Sequence, residues 1–281
     1  MPVRSITPYD GDVYLVPGDP HFDQQDDRAF QVMINAAINR RITGCVLVGD
    51  TFESSGISRH GRPGRKFRFG KGTIKSEERA ARPWIDAITN LVHANRPDAH
   101  LGGLYLLTGN HESWWDAVQD EFPGLVDTPW YELYGDLFDD WHVFEECDSL
   151  RFGHLLIAHG HRLRGALSRY SAAAVLANYP GQNTLYGHTH RVDACTTPTH
   201  KYGEPVRHGA WTVGHMKSME AEQRDRFSGP LSEKHQQGFA FVHFFDVQGD
   251  IRFSVEQAVI DRMPDGSPYT VLGGEVFTEI A

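Results

Sequence analysis

The chain has 281 residues, a length that suits one large domain or two small ones. Its 27 Lys and Arg and 37 Asp and Glu give a net charge of −10, which argues against a basic nucleic-acid packing protein, and its hydrophobic fraction of 40% argues against a disordered chain. The three cysteines form no CxxC pair, and the chain shows neither an apolar signal segment nor an apolar run of roughly 18–20 residues, so we expect a cytoplasmic protein without a membrane partner.

Five short apolar strands are predicted along the chain, and each runs into a polar turn that contains glycine. They are Asp12–Pro17, Cys45–Val48, Leu104–Leu107, Leu155–Ala158 and Thr184–Tyr186. The segments between them predict helices, namely Asp26–Arg41, Glu77–Ala94 with Ser76 as its N-cap, and Ala166–Ala177. Strands that alternate with helices predict an α/β fold, whose ligands bind beyond the carboxyl ends of the strands.

Two regions depart from this alternation. An insertion at about 54–75 is rich in Gly, Arg and Lys, and from Arg59 to Lys75 it carries seven basic residues and no acidic one. The last third, about 205–281, carries no motif but predicts further β-structure: a strand at Gly209–Gly214 and a hairpin of Gly238–Val247 and Ile251–Ile260. Because no linker separates these parts, we expect a single domain over residues 1–281.

Each predicted strand end carries side chains that bind metal ions. A single Gly-His-Thr-His turn is more often a surface loop, but clusters at five strand ends would be costly to bury without a ligand. Imidazoles and carboxylates without thiolates suit Mn²⁺, Fe, Zn²⁺ or Ni²⁺. Seven ligands drawn from these clusters suit two ions that share a carboxylate, a pair that would clamp a phosphoryl group and generate hydroxide from a bridging water. The clusters are Asp19 with His21, Asp50, Asn110 with His111, His159, and His188 with His190.

The order of these motifs, DxH, GD, GNHE, HGH and GHTH, resembles that of the calcineurin-like metallophosphoesterase superfamily. The resemblance spans positions 19 to 190 and implies a four-layer α/β/β/α sandwich with two central mixed sheets. It implies that Asp50 bridges two divalent metal ions, with manganese as the first candidate. It also implies that His111 is a catalytic residue facing the substrate phosphate, and that Glu112 orients it. One ion would be held by Asp19, His21, Asp50 and His190, and the other by Asp50, Asn110, His159 and His188.

Some features leave alternatives open. In the HGH turn either imidazole could bind a metal, and His159 is favoured over His161 because it directly follows its strand. After the GD motif the protein-phosphatase branch of the family has a VDRG-like continuation, whereas this chain continues through Glu53, which argues against a protein phosphatase. Of the adjacent Trp114 and Trp115, one is expected in the core, while the other could line the pocket.

These patterns together predict a hydrolase, a dinuclear metal-dependent phosphoesterase that cleaves a phosphodiester by attack of a metal-bridging hydroxide. Nucleic acid or nucleotides are candidate substrates, and the basic segment Arg59–Lys75, with Phe67 and Phe69 between its charges, is a candidate contact for nucleic acid. Two alternatives remain: a phosphomonoesterase acting on nucleotides or small metabolites, and a catalytically silent module that binds phosphate or nucleic acid. Nothing in the sequence indicates an oligomeric state.

Overall fold

The structure is a computed structural model that describes residues 3–54, 74–96, 103–122, 127–144, 149–201, 204–224 and 234–280. The basic insertion falls almost entirely on residues 55–73, which lie outside the described residues. No helix in the described ranges is long and apolar enough to cross a membrane.

The helices are α1 (Asp27–Arg40), α2 (Ile74–Asn95), α3 (Trp114–Glu121), α4 (Ser171–Asn178) and α5 (Met219–Arg224), with a 3₁₀ helix at Trp130–Tyr134. The strands are β1 (Arg4–Ile6), β2 (Val13–Pro17), β3 (Gly44–Leu47), β4 (Leu104–Leu107), β5 (His142–Phe144), β6 (Ser149–Phe152), β7 (Leu155–Ala158), β8 (Asn183–Tyr186), β9 (Val192–Lys201), β10 (Glu204–Val213), β11 (Gly238–Val247), β12 (Asp250–Val259), β13 (Asp261–Arg262), β14 (Pro268–Leu272) and β15 (Glu275–Thr278).

Two six-stranded mixed sheets form the centre of the fold. The first sheet has the order β12-β11-β2-β3-β4-β5, in which β2 to β5 are parallel and β11 runs antiparallel to β2. The second sheet has the order β1-β6-β7-β8-β10-β9, in which β7, β8 and β10 are parallel. The two central mixed sheets that the sequence predicts are therefore confirmed.

The apolar side chains of each strand alternate between its two faces, and this alternation builds the layers. In β3, Cys45 and Leu47 pack into a buried cluster with residues of α1 and α2, whereas Val46 belongs to a cluster between the two sheets. That second cluster also contains Ile157 of β7, while Ala158 at the end of the same strand packs with residues of α4. The order helix, sheet, sheet, helix confirms the α/β/β/α sandwich.

The C-terminal β-structure is also present as predicted. Strands β11 and β12 pair antiparallel, with Val247 opposite Asp250. Gln248 and Gly249 form the turn between them, and both have a positive φ (56° and 86°), as a tight two-residue hairpin turn requires. Strands β13 to β15 add a small third sheet, from which Phe277 packs into the same cluster as α1.

Two helix boundaries differ from the prediction. Helix α2 begins at Ile74, which packs against the apolar cluster beside the first sheet and extends the helix upstream. Ser76 therefore lies inside the helix, and its prediction as the N-cap is wrong. Helix α4 begins at Ser171 rather than Ala166, because the intervening turn exposes Leu167 (67%) instead of presenting a continuous apolar face.

Candidate metal centre

Five strand ends meet at one edge of the two sheets. Asp19, Asp50 and Asn110 follow β2, β3 and β4 of the first sheet, while His159 and His188 follow β7 and β8 of the second. The main-chain N–H of His188 donates to Asp19 Oδ2 at 2.7 Å, which joins the ends of the two sheets. All seven residues predicted as metal ligands lie in this region.

Asp19, His21 and His190 form the first of the two ligand groups that consist only of predicted ligands, and their metal-binding atoms all lie within 4.8 Å of one another. The Nε2 atoms of His21 and His190 are 3.1 Å apart, and His190 Nε2 lies 3.5 Å from Asp19 Oδ2. Asp19 is fully buried, and its Oδ1 has no hydrogen-bond partner in the described part of the chain. Two imidazole nitrogens that face an unsatisfied buried carboxylate are a suitable donor set for a divalent cation.

Asp50, His159 and His188 form the second ligand group, and Asn110 adjoins it. His159 Nε2 lies 3.4 Å from Asp50 Oδ1 and 3.0 Å from Asn110 Oδ1. On the other side of the ring, His159 Nδ1 lies 3.1 Å from the carbonyl oxygen of Val48. Because a carbonyl only accepts, Nδ1 keeps its proton in either protonation state of the ring, and Nε2 would offer its lone pair to a cation that displaces the second proton.

Asp50 belongs to the second group and faces the first group across His111. Besides its contact with His159, its Oδ2 lies 3.9 Å from Nε2 of His111, whose ring is 4.8 Å from that of His21 between centroids. Burial alone would raise the pKa of Asp50, but the imidazoles of His159 and His111 outweigh it and hold this pKa well below its usual range. An ionised carboxylate therefore occupies the position at which the bridging ligand is predicted.

The pKa values of the buried groups divide the predicted ligands into two sets. Burial would lower the pKa of His159 and of His190, but Asp50 raises that of His159 to about 9 and Glu222 raises that of His190. Burial raises the pKa of Asp19 to about 7, against the opposing effect of His159 and His190. Burial also lowers the pKa of His21 to about 4 and that of His188 to about 3, so both imidazoles are neutral at pH 7 and have lone pairs to donate. Metal ligands must be deprotonated, and a cation would stabilise the charge that burial makes costly at Asp19.

Four predicted ligands have a left-handed backbone conformation. His21, Asp50, His188 and His190 have φ angles of 47°, 48°, 65° and 54°. Residues other than glycine rarely adopt such angles, at a cost on the order of 1–3 kcal/mol each. The surrounding fold therefore holds these residues against their local preference, which is typical of functional sites.

Two glycines allow the strand ends to approach so closely. A Cβ atom on Gly109 would lie 2.3 Å from Oδ1 of Asp50, and one on Gly187 would lie 2.2 Å from Oδ1 of Asp19. No side chain fits at either position, which explains the glycines of the GNHE and GHTH motifs.

His111 and Glu112 make further contacts that the sequence does not predict. The main-chain oxygen of Glu53 contacts His111 Nδ1 at 2.9 Å. The orientation of the His111 ring by Glu112, which the resemblance implies, stays a prediction. The Glu112 carboxylate is buried beneath the adjoining turns, where it satisfies main-chain N–H groups that have left the strands. Its two oxygens accept the N–H groups of Asp50, Thr51, Phe52 and Gly109. These hydrogen bonds fix the backbone of the turns that carry the predicted ligands.

Trp114, Trp115 and His161 adjoin the motifs, and the structure shows where each of them lies relative to the two ligand groups. Trp114 is partly exposed and stacks on His111 with ring centroids 4.1 Å apart, whereas Trp115 is buried and donates its Nε1–H to a main-chain carbonyl. One tryptophan therefore lies in the core and the other beside the site. His161 lies next to His159, at 5.1 Å between ring centroids, and outside both ligand groups, so the geometry favours His159 as the ligand.

A carboxylate from the last third of the chain contacts the first ligand group and carries no motif by which the sequence could reveal it. Glu222 of α5 accepts a hydrogen bond from His190 Nδ1 at 3.0 Å, and His235 Nδ1 contacts the same Oε1 atom. These contacts outweigh the effect of burial and hold the pKa of Glu222 far below its usual range. The hydrogen bond directs His190 Nε2 towards Asp19, as a carboxylate does behind many metal-binding histidines.

A second unpredicted contact supports His21. The carboxylate of Glu53 lies 2.9 Å from His21 Nδ1 and 3.4 Å from Nζ of Lys217, which is only 2% exposed. Burial would raise the pKa of Glu53, but His21 and then Lys217 outweigh it and lower this pKa to about 2. An ionised Glu53 therefore fixes the ring of His21, and its main-chain oxygen holds His111.

Neither protein-family models nor curated protein sequences match this chain. Among solved structures, vacuolar protein sorting 29 from Cryptosporidium parvum aligns with 96% of this chain and 100% of its own, at 13% identity and a TM-score of 0.43. Vps29 from Chaetomium thermophilum aligns with 96% of this chain and 98% of its own, at 11% identity and a TM-score of 0.43. Similarity at this level carries no information on activity, substrate or partners.

Proposed function

We propose that this protein is a phosphoesterase that works with two divalent metal ions and hydrolyses phosphodiesters. The observation that carries the proposal is the convergence of two adjoining ligand groups, one around Asp19 and one around Asp50, at the ends of five strands. One group alone would fit a single structural ion. Two adjoining groups, one of which contains the buried carboxylate of Asp50, with a partly exposed histidine beside them, fit the paired-ion chemistry of phosphoryl transfer.

The residues present fit the implied metals. The unsatisfied Oδ1 of Asp19 and the neutral imidazoles of His21 and His188 are groups that a cation would complete. Carboxylate, amide and imidazole donors suit Mn²⁺, Fe, Zn²⁺ or Ni²⁺, and we propose Mn²⁺ as the first ion to test. When bound, two such ions neutralise the phosphoryl oxygens and make a water molecule acidic enough to act as a nucleophile. We assign one ion to Asp19, His21, Asp50 and His190, and the other to Asp50, Asn110, His159 and His188.

We propose that His111 moves a proton at the leaving group. Since the carbonyl oxygen of Glu53 only accepts, His111 Nδ1 carries a proton, and Nε2 faces Asp50. In its cationic form the ring also carries a proton on Nε2, which it would hydrogen-bond to the phosphoryl group and then transfer to the departing oxygen. Trp114 covers the face of this ring and restricts its rotation.

The proposal is tested with two small esters. Metal-depleted protein is reloaded with Mn²⁺ and assayed on bis-p-nitrophenyl phosphate and on p-nitrophenyl phosphate, while bound metal is counted by elemental analysis. Faster turnover of the diester supports the proposal, and faster turnover of the monoester supports the phosphomonoesterase alternative. Two bound ions without turnover of either ester would indicate the catalytically silent module.

Nucleic acid is the substrate class that the sequence of the insertion favours. If the segment Arg59–Lys75 binds phosphates, affinity for oligonucleotides should fall steeply with salt, because each neutralised phosphate releases counterions. Replacing Arg65, Lys66 and Arg68 by Ala should flatten this salt dependence and raise KM for oligonucleotides, with little change for the small diester. Equal cleavage by parent and variant at every salt concentration would exclude the insertion as a substrate contact.

A further inference from the structure

A cavity of about 690 Å³ lies at the opposite ends of the strands that carry the metal ligands. The metal centre follows the carboxyl ends of β7 and β8, whereas His154 and Asn183, which border the cavity, stand at their amino ends. The edge strand β12 of the first sheet closes the cavity with Arg252 and Phe253. Strands β7 and β8 are each 4 residues long, so roughly 13 Å of strand separates the two sites. The volume is within the range of small-molecule sites.

The cavity is lined by positive and titratable nitrogen groups. Its lining includes Arg151, Arg252, His154 and His208 and no acidic residue, although the chain as a whole has a net charge of −10. His208 Nδ1 is buried without a hydrogen-bond partner among the described residues. Asp250 at the rim lies 2.7 Å from Arg252 and 2.9 Å from His154, in pairs whose members are at least 44% exposed. Surface ion pairs of this kind are weak, so an incoming anion can replace Asp250 as the partner of Arg252 and His154. Arg151 takes part in neither of the two pairs.

Aromatic side chains form the other wall. Trp211 of β10 and Phe253 of β12 meet edge to face, with ring centroids 6.0 Å apart. The indole lies back over Gly209, where a Cβ atom would fall 2.2 Å from the ring, so the glycine makes room for it. The side chain of Asn183 links the two walls by hydrogen bonds. Its Oδ1 accepts the N–H of Gly209 at 2.9 Å, and its Nδ2 donates to the carbonyl oxygen of His154 at 3.2 Å.

We propose that this cavity binds a small aromatic phosphate of the nucleoside monophosphate class. Guanidinium groups bind phosphate oxygens through paired hydrogen bonds, and Arg151 and Arg252 supply two of them. An indole can stack with the base of a nucleotide, and Trp211 is the indole in the cavity lining. The site is separate from the metal centre and does not depend on the function proposed for it.

The test is calorimetric titration of the metal-depleted protein with AMP, so that the ligand cannot bind through metal ions. We expect saturable binding of one equivalent. The double substitution Arg151→Gln and Arg252→Gln should weaken it at least about tenfold, as should Trp211→Leu. Adenosine, which lacks the phosphate, and ribose 5-phosphate, which lacks the base, should each bind at least about tenfold more weakly than AMP. Arg169→Gln, at an exposed arginine outside the cavity, should leave the affinity unchanged.

The proposal is overturned by any of three results: no saturable binding of AMP up to about 1 mM, an affinity that the double arginine variant retains, or an equal loss in Arg169→Gln. Thermal unfolding of every variant checks that it is folded. If Trp211→Leu unfolds, the double arginine variant still tests whether the cavity binds AMP, because Arg252 is 53% exposed and its replacement leaves the core intact.

Discussion

The first two-thirds of the chain and its last third contribute to the same centre in different ways. The part up to His190 supplies every predicted ligand, each from a short motif at the end of a strand. The last third supplies none of them but holds two in place, through Glu222 behind His190 and through Lys217 beside Glu53. Ligand positions therefore follow from local chain geometry, whereas the residues that orient the ligands come from packing between distant segments.

The largest effect is expected when the ligand-bearing region is changed at Asp50. The substitution Asp50→Asn replaces a charged carboxylate by an amide oxygen, which is a weak ligand and cannot balance two cations. We expect diesterase activity to fall by at least about three orders of magnitude, since both ions are needed for the reaction. Bound metal, counted by elemental analysis, should fall below two equivalents. Asp120→Asn, at an exposed acid of α3, is the control. Two tightly held ions in Asp50→Asn would show that this residue is not the bridge.

The next largest effect separates catalysis from metal binding within the same region. His111→Gln should retain both ions but lower kcat by roughly 10²–10⁴-fold, the range for loss of a general acid. The loss should shrink for phosphodiesters with good leaving groups, which need less protonation. A loss of the same size for all leaving groups would indicate electrostatic stabilisation instead, and loss of metal would identify His111 as a ligand. Trp114→Phe, which keeps an aromatic ring on His111, should cost about tenfold or less.

A smaller effect is expected from the last third, at Glu222. Glu222→Gln removes the charge that accepts the Nδ1–H of His190, so metal affinity should weaken by roughly 10–100-fold. Competition with a chelating dye measures this without reference to activity. Glu132→Gln, an exposed acid of the 3₁₀ helix, should not change it. Full metal affinity in Glu222→Gln would mean that the last third covers the centre without orienting its ligands.

The comparison between the two regions also explains how much of the fold and of the candidate site the sequence predicts. The strand Leu155–Ala158 is predicted with its observed bounds because an apolar run and a following His-Gly-His turn mark it locally. The predicted ligands are identified for the same reason, since each stands one to four residues after the end of a strand. Glu222 escapes prediction because its partner is an imidazole of another segment, 32 residues away in sequence. Glu112 is predicted, but its hydrogen bonds to main-chain N–H groups about 60 residues away are not. Only the three-dimensional fold shows which N–H groups lack partners.

The smallest effect concerns a contact between the two regions that lies away from the metal centre. Asp26 caps α1, since its Oδ1 accepts the N–H groups of Arg28 and Ala29 at 3.1 Å each. Its Oδ2 accepts a hydrogen bond from Gln237 at 3.0 Å and also contacts Arg262. Asp26→Ala removes both the cap and this link, and should lower the free energy of unfolding, measured in urea, by about 1–2 kcal/mol. Asp26→Asn keeps a capping oxygen and should cost less.

The charge of Asp26 leads to a further prediction, which concerns how the stability of the fold depends on pH. Burial would raise the pKa of Asp26, but hydrogen bonds from Gln237 and the N–H of Ala29, together with the charge of Arg262, outweigh it and lower the pKa. A carboxyl whose pKa is lower in the folded state stabilises the fold fully above its unfolded value, about 4, and loses that contribution as the pH falls through the folded value. The parent should therefore lose more stability than Asp26→Asn between about pH 5 and pH 3. Equal losses in the two proteins would show that the link between the regions depends on hydrogen-bond geometry and not on charge.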